Sequence, residues 1–282
     1  MTNLDGKRAV VTGAASGLGR ALALVLARKG WKIGITDINE VGSRETLEMV
    51  ERAGGSGEVF PVDVSKPESV KAMADHFFSA WKGVDLLVNN AGIAISGLVG
   101  EIPLANWEKI VGINFWGVLY GCHEFIPRMK RQGGGHILNV ASAAGLFSMT
   151  NMSPYNATKA AVISLSETLM PEVAPFNIGI TVACPMFFNT NLVKNMQHTE
   201  EIETEFANAA FEFSRITSEE VAARIIRAVE KGRFYVIPML SGKVSWISKR
   251  LSPSLFYGTL AFLNRRGWLM PIGIRLAKWG MV

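Results

Sequence analysis

The stretch Lys7-Arg8-Ala9-Val10-Val11-Thr12-Gly13-Ala14-Ala15-Ser16-Gly17-Leu18-Gly19 decides the fold of this chain. It begins with a β-branched run that favours a strand, and it leads into an apolar segment, residues 20–29, that is typical of a helix. The glycines between them permit a tight turn and close approach of a ligand, and the helix N-terminus offers free N–H groups to an anion. A strand, a glycine-rich turn and a helix in this order predict the phosphate-binding element of a nucleotide-binding fold.

Asp37 directly follows the second predicted strand, residues 32–36. A carboxylate at this point accepts hydrogen bonds from an adenosine ribose and repels the 2′-phosphate of NADP, although an aspartate after a strand also serves as a helix cap. Arg20 and Arg44 are basic residues nearby. We therefore expect NAD as the cofactor and keep NADP as the less favoured alternative.

Tyr155 and Lys159 form a Tyr-x-x-x-Lys pair, with Ser142 upstream. Residues four apart on a helix share one side, with their Cβ atoms about 5–6 Å apart. An ammonium beside a phenol favours the phenolate and lowers the phenol's pKa from its ordinary value of about 10. We therefore expect Tyr155 to exchange a proton with a substrate near neutral pH, and Ser142 to bind the same substrate oxygen.

Apolar runs typical of strands alternate with helical segments along the chain. Besides residues 8–12 and 32–36, the predicted strands are residues 58–61, 86–89, 135–140, 179–184 and 234–238, and the predicted helices include residues 68–81, 107–131, 155–174 and 218–231. Near-continuous apolar strands separated by helices indicate a parallel sheet that is covered on both faces. We predict an α/β fold in which residues 1–238 form one domain, a doubly wound parallel sheet of about seven strands with helices on both faces.

Several motifs occur in a fixed order along this domain. They are Thr12-Gly13-Ala14-Ala15-Ser16-Gly17-Leu18-Gly19, Asp63-Val64, Asn89-Asn90-Ala91-Gly92, Asn114, Ser142 and Tyr155-Asn156-Ala157-Thr158-Lys159. Their residues, order and spacing resemble those of the short-chain dehydrogenase/reductase family over roughly residues 5–237. The resemblance implies a Rossmann fold and NAD(P)-dependent interconversion of alcohols and carbonyl compounds.

The resemblance also implies a role for each matching residue. Tyr155 is expected to be the acid/base and Ser142 to hold the substrate oxygen, while Lys159 binds the nicotinamide ribose and lowers the pKa of Tyr155. Asn114 is expected to help hold a water that connects Lys159 to solvent. The expected dinucleotide contacts are Gly13, Ser16, Gly17, Leu18 and Gly19 at the pyrophosphate, Asp37 and Ile38 at the adenosine ribose, Asp63 and Val64 at the adenine, Asn90, Ala91 and Gly92 behind the cofactor, and Tyr155, Lys159, Pro185 and Thr190 at its nicotinamide end.

One position departs from the family pattern. The family commonly has Pro-Gly-x-x-x-Thr after the sixth strand, whereas this chain has Pro185-Met186-Phe187-Phe188-Asn189-Thr190. Pro185 and Thr190 are retained, but Met186 stands in place of the glycine, and a methionine is strained wherever the backbone needs a positive φ. The expected contacts at the nicotinamide end therefore depend on the backbone conformation of Met186.

Residues 186–215 are irregular in pattern and correspond to the family's substrate loop. Their apolar side chains include Met186, Phe187, Phe188, Met196, Phe206, Phe211 and Phe213. Such side chains suit an apolar pocket, although ordinary packing or a subunit interface would use the same residues. We expect a hydrophobic alcohol or ketone as substrate, of a long-chain, steroid-like or retinoid-like kind.

Residues 239–282 form a basic and aromatic extension beyond the predicted domain. The extension contains seven basic residues and no acidic one, and since the whole chain has a net charge of +5, the remainder carries −2. Its apolar run, residues 255–263, is far shorter than the roughly 18–20 residues of a membrane span. Basic residues among Trp, Phe and Leu favour attachment to the surface of an anionic membrane. Packing over the active site or against a partner subunit is the second interpretation, and nucleic-acid binding the least favoured.

These observations predict an NAD-preferring oxidoreductase that acts on CH–OH groups. The alternative is a catalytically idle Rossmann protein that senses a nicotinamide cofactor or docks partners at a membrane. Cys122 and Cys184 are expected to be buried free thiols, and neither they nor the histidines show metal-ligand spacing, so no metal is expected. The polar residues 1–6 show no secretory signal. We expect a cytoplasmic protein, peripheral at the inner face of a membrane if the tail binds lipid, and, from the resemblance, a homodimer or homotetramer.

Overall fold

The computed structural model describes residues 4, 6–188, 205, 208–209, 213–214 and 216–280. Within this part of the chain, seven parallel strands form one sheet in the order β3-β2-β1-β4-β5-β6-β7. The strands are β1 (Arg8–Thr12), β2 (Lys32–Asp37), β3 (Ser56–Pro61), β4 (Leu86–Asn89), β5 (Gly135–Val140), β6 (Ile178–Ala183) and β7 (Tyr235–Val236). The doubly wound parallel sheet predicted from the sequence is confirmed.

Helices cover both faces of the sheet. They are α1 (Gly17–Ala27), α2 (Glu40–Arg52), α3 (Pro67–Trp81), α4 (Leu104–Val111), α5 (Gly117–Gln132), α6 (Ala143–Leu146), α7 (Ser153–Val173), α8 (Ser218–Glu230), α9 (Leu240–Leu251), α10 (Pro253–Arg265) and α11 (Leu269–Lys278). Two clusters of buried side chains lie between these helices and the sheet. Leu22 and Ile225 belong to the cluster on one face, and Phe77 and Phe125 belong to the other. The strands are apolar at almost every position because both of their faces are buried.

The helical stretch predicted over residues 107–131 is present, but it contains one turn of a different kind. The segment consists of α4, one turn of π-helix at Gly112–Trp116, and α5. A π-turn is a local widening of an α-helix that is often found at functional sites. Its physical reason here is Asn114, whose side-chain amide forms two hydrogen bonds with the backbone of Ile93, in the loop after β4. Periodicity cannot reveal such a turn, because the residues around it are apolar in both conformations.

Two further expectations concern the cysteines and the membrane. Cys122 and Cys184 are buried and form no disulfide, as expected. Burial raises the pKa of each thiol to about 12. No helix in the described ranges is long and apolar enough to cross a bilayer.

An ion pair fixes the ends of two central strands at the edge of the sheet opposite the glycine loop. The Arg8 guanidinium donates to both carboxylate oxygens of Asp85, at 2.8 and 2.9 Å, and the Arg8 backbone N–H donates to the same carboxylate at 2.9 Å. A fourth bond runs from Arg8 to the carbonyl of Trp81. Asp85 is only 10% exposed, and its hydrogen bonds raise the pKa of Arg8 above its ordinary value.

Substituting Asp85→Ala should lower the free energy of unfolding by about 2–3 kcal/mol, because it leaves a partly buried guanidinium and an N–H group without their acceptor. The matched control is Glu48→Ala, which removes an exposed carboxylate 3.5 Å from Arg52. That change should cost less than about 0.5 kcal/mol. Urea denaturation measures both, and equal losses in the two variants would contradict the role assigned to Asp85.

Candidate active site

The glycine loop lies between β1 and α1 and leaves an open cradle above the sheet. Gly13 and Gly17 have positive φ angles of 67° and 54°, which L-residues rarely adopt. A Cβ at Gly19 would lie 2.2 Å from the carbonyl oxygen of Gly13, so only glycine fits there. Ser16 is the N-cap residue of α1, and its hydroxyl makes no capping bond. The α1 N-terminus therefore presents its N–H groups to the cradle, together with an uncommitted hydroxyl.

Thr12 and Asn90 hold the end of β4 against the glycine loop. The Thr12 hydroxyl accepts the backbone N–H groups of Asn90 and Ala91 at 3.0 and 3.1 Å. The Asn90 amide donates to the carbonyls of Thr12 and Gly13 at 2.9 and 3.3 Å. The sheet order reverses between β1 and β4, and a crevice opens at such a point.

Asp37 lies at the end of β2 and is tied to the glycine loop. One carboxylate oxygen accepts the N–H of Ala15 at 3.1 Å, and the other accepts the N–H of Asn39 at 2.9 Å. Each oxygen keeps a further lone pair for a ligand hydroxyl. The next residue, Ile38, is 74% exposed at the cleft.

The two basic residues near Asp37 are engaged elsewhere. Arg20 donates to the Thr46 hydroxyl, to the Glu45 carboxylate and to two backbone carbonyls. Arg44 lies 3.8 Å from Glu40 on the exposed face of α2. Among the described residues that line the cleft there is no arginine. Lys159 is the one basic residue among the described lining residues, and its ammonium is bonded to the Val140 carbonyl rather than to Asp37.

Asp63 and Val64 form the wall beyond β3. The Asp63 carboxylate accepts the backbone N–H and the hydroxyl of Ser65, at 2.9 and 2.7 Å, which fixes the turn. Val64 is buried against Gly117, where an added Cβ would lie 3.0 Å from the Val64 side chain. Asp63, Val64 and Ile38 all line the same cleft as the glycine loop.

Asn114 is fully buried and joins the π-turn to the other site residues. Its Oδ1 accepts the N–H of Ile93, and its Nδ2 donates to the Ile93 carbonyl and to the Thr158 hydroxyl. Both N–H bonds of the amide are therefore used within the protein. A water held by this side chain would have to use the second lone pair of Oδ1. A Cβ at Gly92 would lie 3.2 Å from that oxygen and 3.4 Å from Lys159 Nζ, so Asn114 and Lys159 converge on Gly92.

Ser142, Tyr155 and Lys159 come together above β5. Ser142 is the N-cap of α6, and its hydroxyl accepts the Ala144 N–H at 3.2 Å and donates to the Pro185 carbonyl at 3.4 Å. The same hydroxyl lies close enough to the phenol of Tyr155 to favour its ionised form. Lys159 Nζ lies 5.7 Å from the centre of the Tyr155 ring and donates to the Val140 carbonyl at 2.9 Å. All three side chains are nearly buried yet line the cleft. The close pairing expected from the sequence is present.

The sequence predicts that the ammonium of Lys159 lowers the pKa of Tyr155 below its ordinary value, and this prediction is wrong. Burial raises the pKa of Tyr155 above its ordinary value, and the Ser142 hydroxyl opposes this only in part. Burial also lowers the pKa of Lys159 to about 8. The physical reason is desolvation, which disfavours both charged forms. Lys159, whose positive charge should stabilise the phenolate, therefore loses its proton more readily than an ordinary lysine.

The substrate end of the cleft is apolar. The cleft has a volume of about 430 Å³. Of the expected loop residues, Met186, Phe187 and Phe188 line it, whereas Phe213 does not. Met196, Phe206, Phe211 and Thr190 lie outside the described residues. Further lining residues that the sequence reasoning missed are Ile93, Phe147, Met149 and Met152. The sequence does indicate three of them, because Phe147, Met149 and Met152 are large apolar residues in the short segment between Ser142 and Tyr155.

Met186 is accommodated without strain. It is not among the residues with positive φ, so this backbone position does not require glycine. Its side chain packs on α9, where a Cβ at Gly242 would lie 3.0 Å from Met186 Cγ, and Ser241 donates a hydrogen bond to its sulfur at 3.4 Å. The neighbouring carbonyl of Pro185 accepts the Ala143 N–H. The methionine thus connects the nicotinamide end of the expected site to the C-terminal helices.

Taken as a binding surface, the cleft fits an extended dinucleotide. In such a complex the cradle at Gly13 and Gly19 would hold a phosphate pair and Asp37 would offer a carboxylate to a ribose, while Lys159 and Tyr155 line the same cleft. The described residues contain no cluster of three or more potential metal ligands among His, Cys, Asp and Glu.

Comparisons with known proteins agree with this geometry. The model of the short chain dehydrogenase family matches residues 7–201. SadH of Mycobacterium tuberculosis, an oxidoreductase by name, is 34% identical over 265 residues, which cover 93% of this chain and 96% of SadH. A CLA biosynthesis dehydrogenase/reductase of Lactiplantibacillus plantarum is 31% identical over 255 residues, 84% of this chain and 89% of that protein.

A solved structure shows the same architecture. The crystal structure of a short-chain dehydrogenase/reductase from Burkholderia phymatum in complex with NAD has a TM-score of 0.85 and 32% sequence identity, and the match covers 90% of this chain and 96% of that one. The family model spans more than half of the chain, and the relatives match over most of their length. The chain therefore belongs to the short-chain dehydrogenase/reductase family of oxidoreductases.

Proposed function

We propose that this protein is an NAD-preferring dehydrogenase/reductase that interconverts a hydrophobic alcohol and its ketone or aldehyde. The observation that carries the proposal is the convergence of Ser142, Tyr155 and Lys159 on one apolar cleft that also contains the glycine loop. A bound nicotinamide dinucleotide supplies the hydride acceptor for oxidation and the hydride donor for reduction. The NAD complex of the relative from Burkholderia phymatum supports the choice of cofactor.

The chain's own residues supply the proton chemistry. Tyr155 removes the hydroxyl proton of the alcohol in oxidation and returns a proton to the carbonyl oxygen in reduction. The Ser142 hydroxyl lies beside that phenol and so can bind the same substrate oxygen. Lys159 donates a hydrogen bond to the Val140 carbonyl, which fixes the position of its ammonium. In that position the positive charge favours the phenolate form of Tyr155, and the ammonium can also bind a ribose hydroxyl. Asn114 orders the loop at Ile93 behind them.

The substrate class follows from the cleft wall. The cleft that contains Tyr155 is also lined by six large apolar side chains, those of Phe147, Met149, Met152, Met186, Phe187 and Phe188. Methionine and aromatic side chains adapt to large apolar ligands and offer few groups that could recognise a small polar alcohol. The name of the Lactiplantibacillus relative, a dehydrogenase/reductase of CLA biosynthesis, is consistent with such a class.

The alternative is a catalytically idle Rossmann protein that senses the cofactor or docks partners. Fold alone permits it, because function is decided by the site. Two observations disfavour it: the Ser142 hydroxyl beside the phenol of Tyr155, and the burial of Lys159 near the same ring. Burying a lysine is costly, and a cofactor sensor has no use for a proton-transfer group in front of its ligand.

The substitution Tyr155→Phe should lower turnover by about two to four orders of magnitude, because it removes the proton donor and acceptor. NAD binding should remain nearly unchanged. The measurement is reduced-nicotinamide absorbance across a panel of long-chain, cyclic and short polar alcohols and ketones, with dinucleotide fluorescence as the binding readout. Wild-type turnover in the variant would refute the role of Tyr155. Turnover of short polar alcohols alone would refute the substrate class.

The two directions of the reaction should differ in their pH dependence. Because burial raises the pKa of Tyr155, the phenol stays protonated at neutral pH and suits reduction, whereas oxidation needs the phenolate. We expect kcat/KM for oxidation to rise from pH 6 toward roughly pH 8, by up to about tenfold per pH unit, while reduction stays level. Above about pH 8 the rise should flatten, because Lys159 loses its charge there. An oxidation rate that falls from pH 6 to 8 would contradict this assignment.

Asp37→Asn should reduce the preference for NAD over NADP by about tenfold or more, because it removes the charge that repels the 2′-phosphate and keeps a hydrogen-bond acceptor. The matched control is Asp63→Asn, in the same cleft. That change should weaken both dinucleotides to a similar extent. The ratio of kcat/KM for the two dinucleotides is the readout. An unchanged ratio in Asp37→Asn would overturn the assignment of Asp37 to the ribose.

A further inference from the structure

We propose that α9, α10 and α11 form a docking surface for an anionic lipid membrane, placed beside the mouth of the cleft. We call this surface, formed by residues 240–278, the tail surface. The inference goes beyond the proposed function and does not depend on it, since membrane binding is measured without any turnover.

Helix α9 presents its apolar side outward. Leu240, Val244, Ile247 and Leu251 recur at intervals of four, three and four residues, which places them on one side of the helix, and they are 75%, 55%, 52% and 82% exposed. The opposite side is already used: Gly242 packs on Met186, and Trp246 packs on Tyr235 with ring centres 5.6 Å apart. The exposed stripe is therefore not the face that attaches the helix to the protein.

The segments of the other two helices also carry exposed apolar side chains. Their exposed large apolar side chains are Leu255, Phe262, Trp268, Ile272 and Trp279. With the α9 stripe, residues 240–279 hold nine of the eighteen large apolar side chains that are exposed within the described ranges. Surfaces of this kind are rare on soluble proteins unless they bind something. Tryptophan and phenylalanine are the side chains that favour the interfacial region of a bilayer.

Charge decides between the candidate occupants. The C-terminal extension has seven basic residues and no acidic one. Among the residues that the structure describes, only Lys278 of this extension forms an ion pair, with Glu205. Lys243 and Arg250 are exposed on α9 beside the apolar stripe. A second copy docking through the same surface would bring like charges together. Anionic lipid headgroups complement the charge, and the acyl region complements the apolar side chains.

The tail surface adjoins the cleft through direct contacts. Lys249 donates to the Leu146 carbonyl at 2.6 Å, and the Tyr257 hydroxyl accepts the N–H of Ser148 at 3.1 Å. Phe256 packs edge-on against Phe147, a residue of the cleft wall. Membrane docking would thus place the opening beside the lipid, where apolar alcohols and ketones concentrate.

The surface also continues onto the body of the protein. Asn264 of α10 lines a second cavity together with Leu98 and Val99, which lie in the loop after β4 and are 43% and 74% exposed. This cavity therefore brings α10 next to a second exposed apolar segment. Docking of α9 and α10 would bring the same loop to the membrane.

Full-length protein should sediment with phosphatidylcholine vesicles that contain phosphatidylglycerol, and the bound fraction should fall as salt rises, because screening weakens headgroup attraction. The double substitution Val244→Ser and Leu251→Ser should weaken binding at least about tenfold, since both side chains would leave the lipid. The matched control is Val41→Ser with Leu104→Ser, which changes the same residue types at 72% and 78% exposed positions of the body. The control should bind like the wild type.

Two double variants, each lacking two basic side chains, test whether electrostatic attraction contributes to vesicle binding. Lys243→Gln with Arg265→Gln should weaken binding about fivefold per charge removed, whereas Lys109→Gln with Arg131→Gln on the body should have little effect. Wild-type protein that stays in the supernatant with anionic vesicles overturns the proposal. Equal loss in the body controls, or a tail-dependent dimer in light scattering without vesicle binding, also overturns it. Melting curves establish that each variant is folded.

Discussion

The site depends on the contact between the ends of β1 and β4. Four hydrogen bonds link Thr12 and Gly13 with Asn90 and Ala91 across the point where the sheet order reverses. These bonds set the distance between the glycine loop and the loop that carries Gly92 and Ile93. Asn114 then fixes that second loop from the π-turn, and Gly92 lets Lys159 approach. A small polar network thus positions the phosphate cradle and the proton-transfer group relative to one another.

The sequence predicts the sheet well and the electrostatics poorly. Strands such as Leu86–Asn89 and Gly135–Val140 have their predicted bounds, because a strand buried on both faces is apolar at every position. The π-turn at Gly112–Trp116 has no compositional mark. Nor does a Tyr-x-x-x-Lys spacing reveal how deeply the pair is buried. In Tyr155 the desolvation of the phenolate outweighs the opposing effect of the Ser142 hydroxyl, and only three-dimensional packing determines that balance.

In the candidate site, too, some features could be predicted from the sequence and others could not. Residues with a chemical signature, from Gly13 to Lys159, are brought together in one cleft. The apolar wall at Phe147, Met149 and Met152 lies in an irregular loop, where periodicity gives no direction to a side chain. Met186 illustrates a third case: the sequence marks it as a departure, but its contact with Gly242 depends on where α9 packs. Local patterns identify reacting groups, whereas long-range packing selects the groups that surround them.

The π-turn has a consequence for how this protein can change. One extra residue advances the following helix by about 100° relative to a regular α-helix, so α4 and α5 could not be merged by substitution alone. A single-residue deletion within Gly112–Trp116 would rotate either the buried side of α5, with Phe125 and Met129, or the attachment of α4 at Ile110. The number of residues at the centre of this helix pair is therefore fixed. Insertions and deletions are tolerated at the ends of the pair, but not within the π-turn.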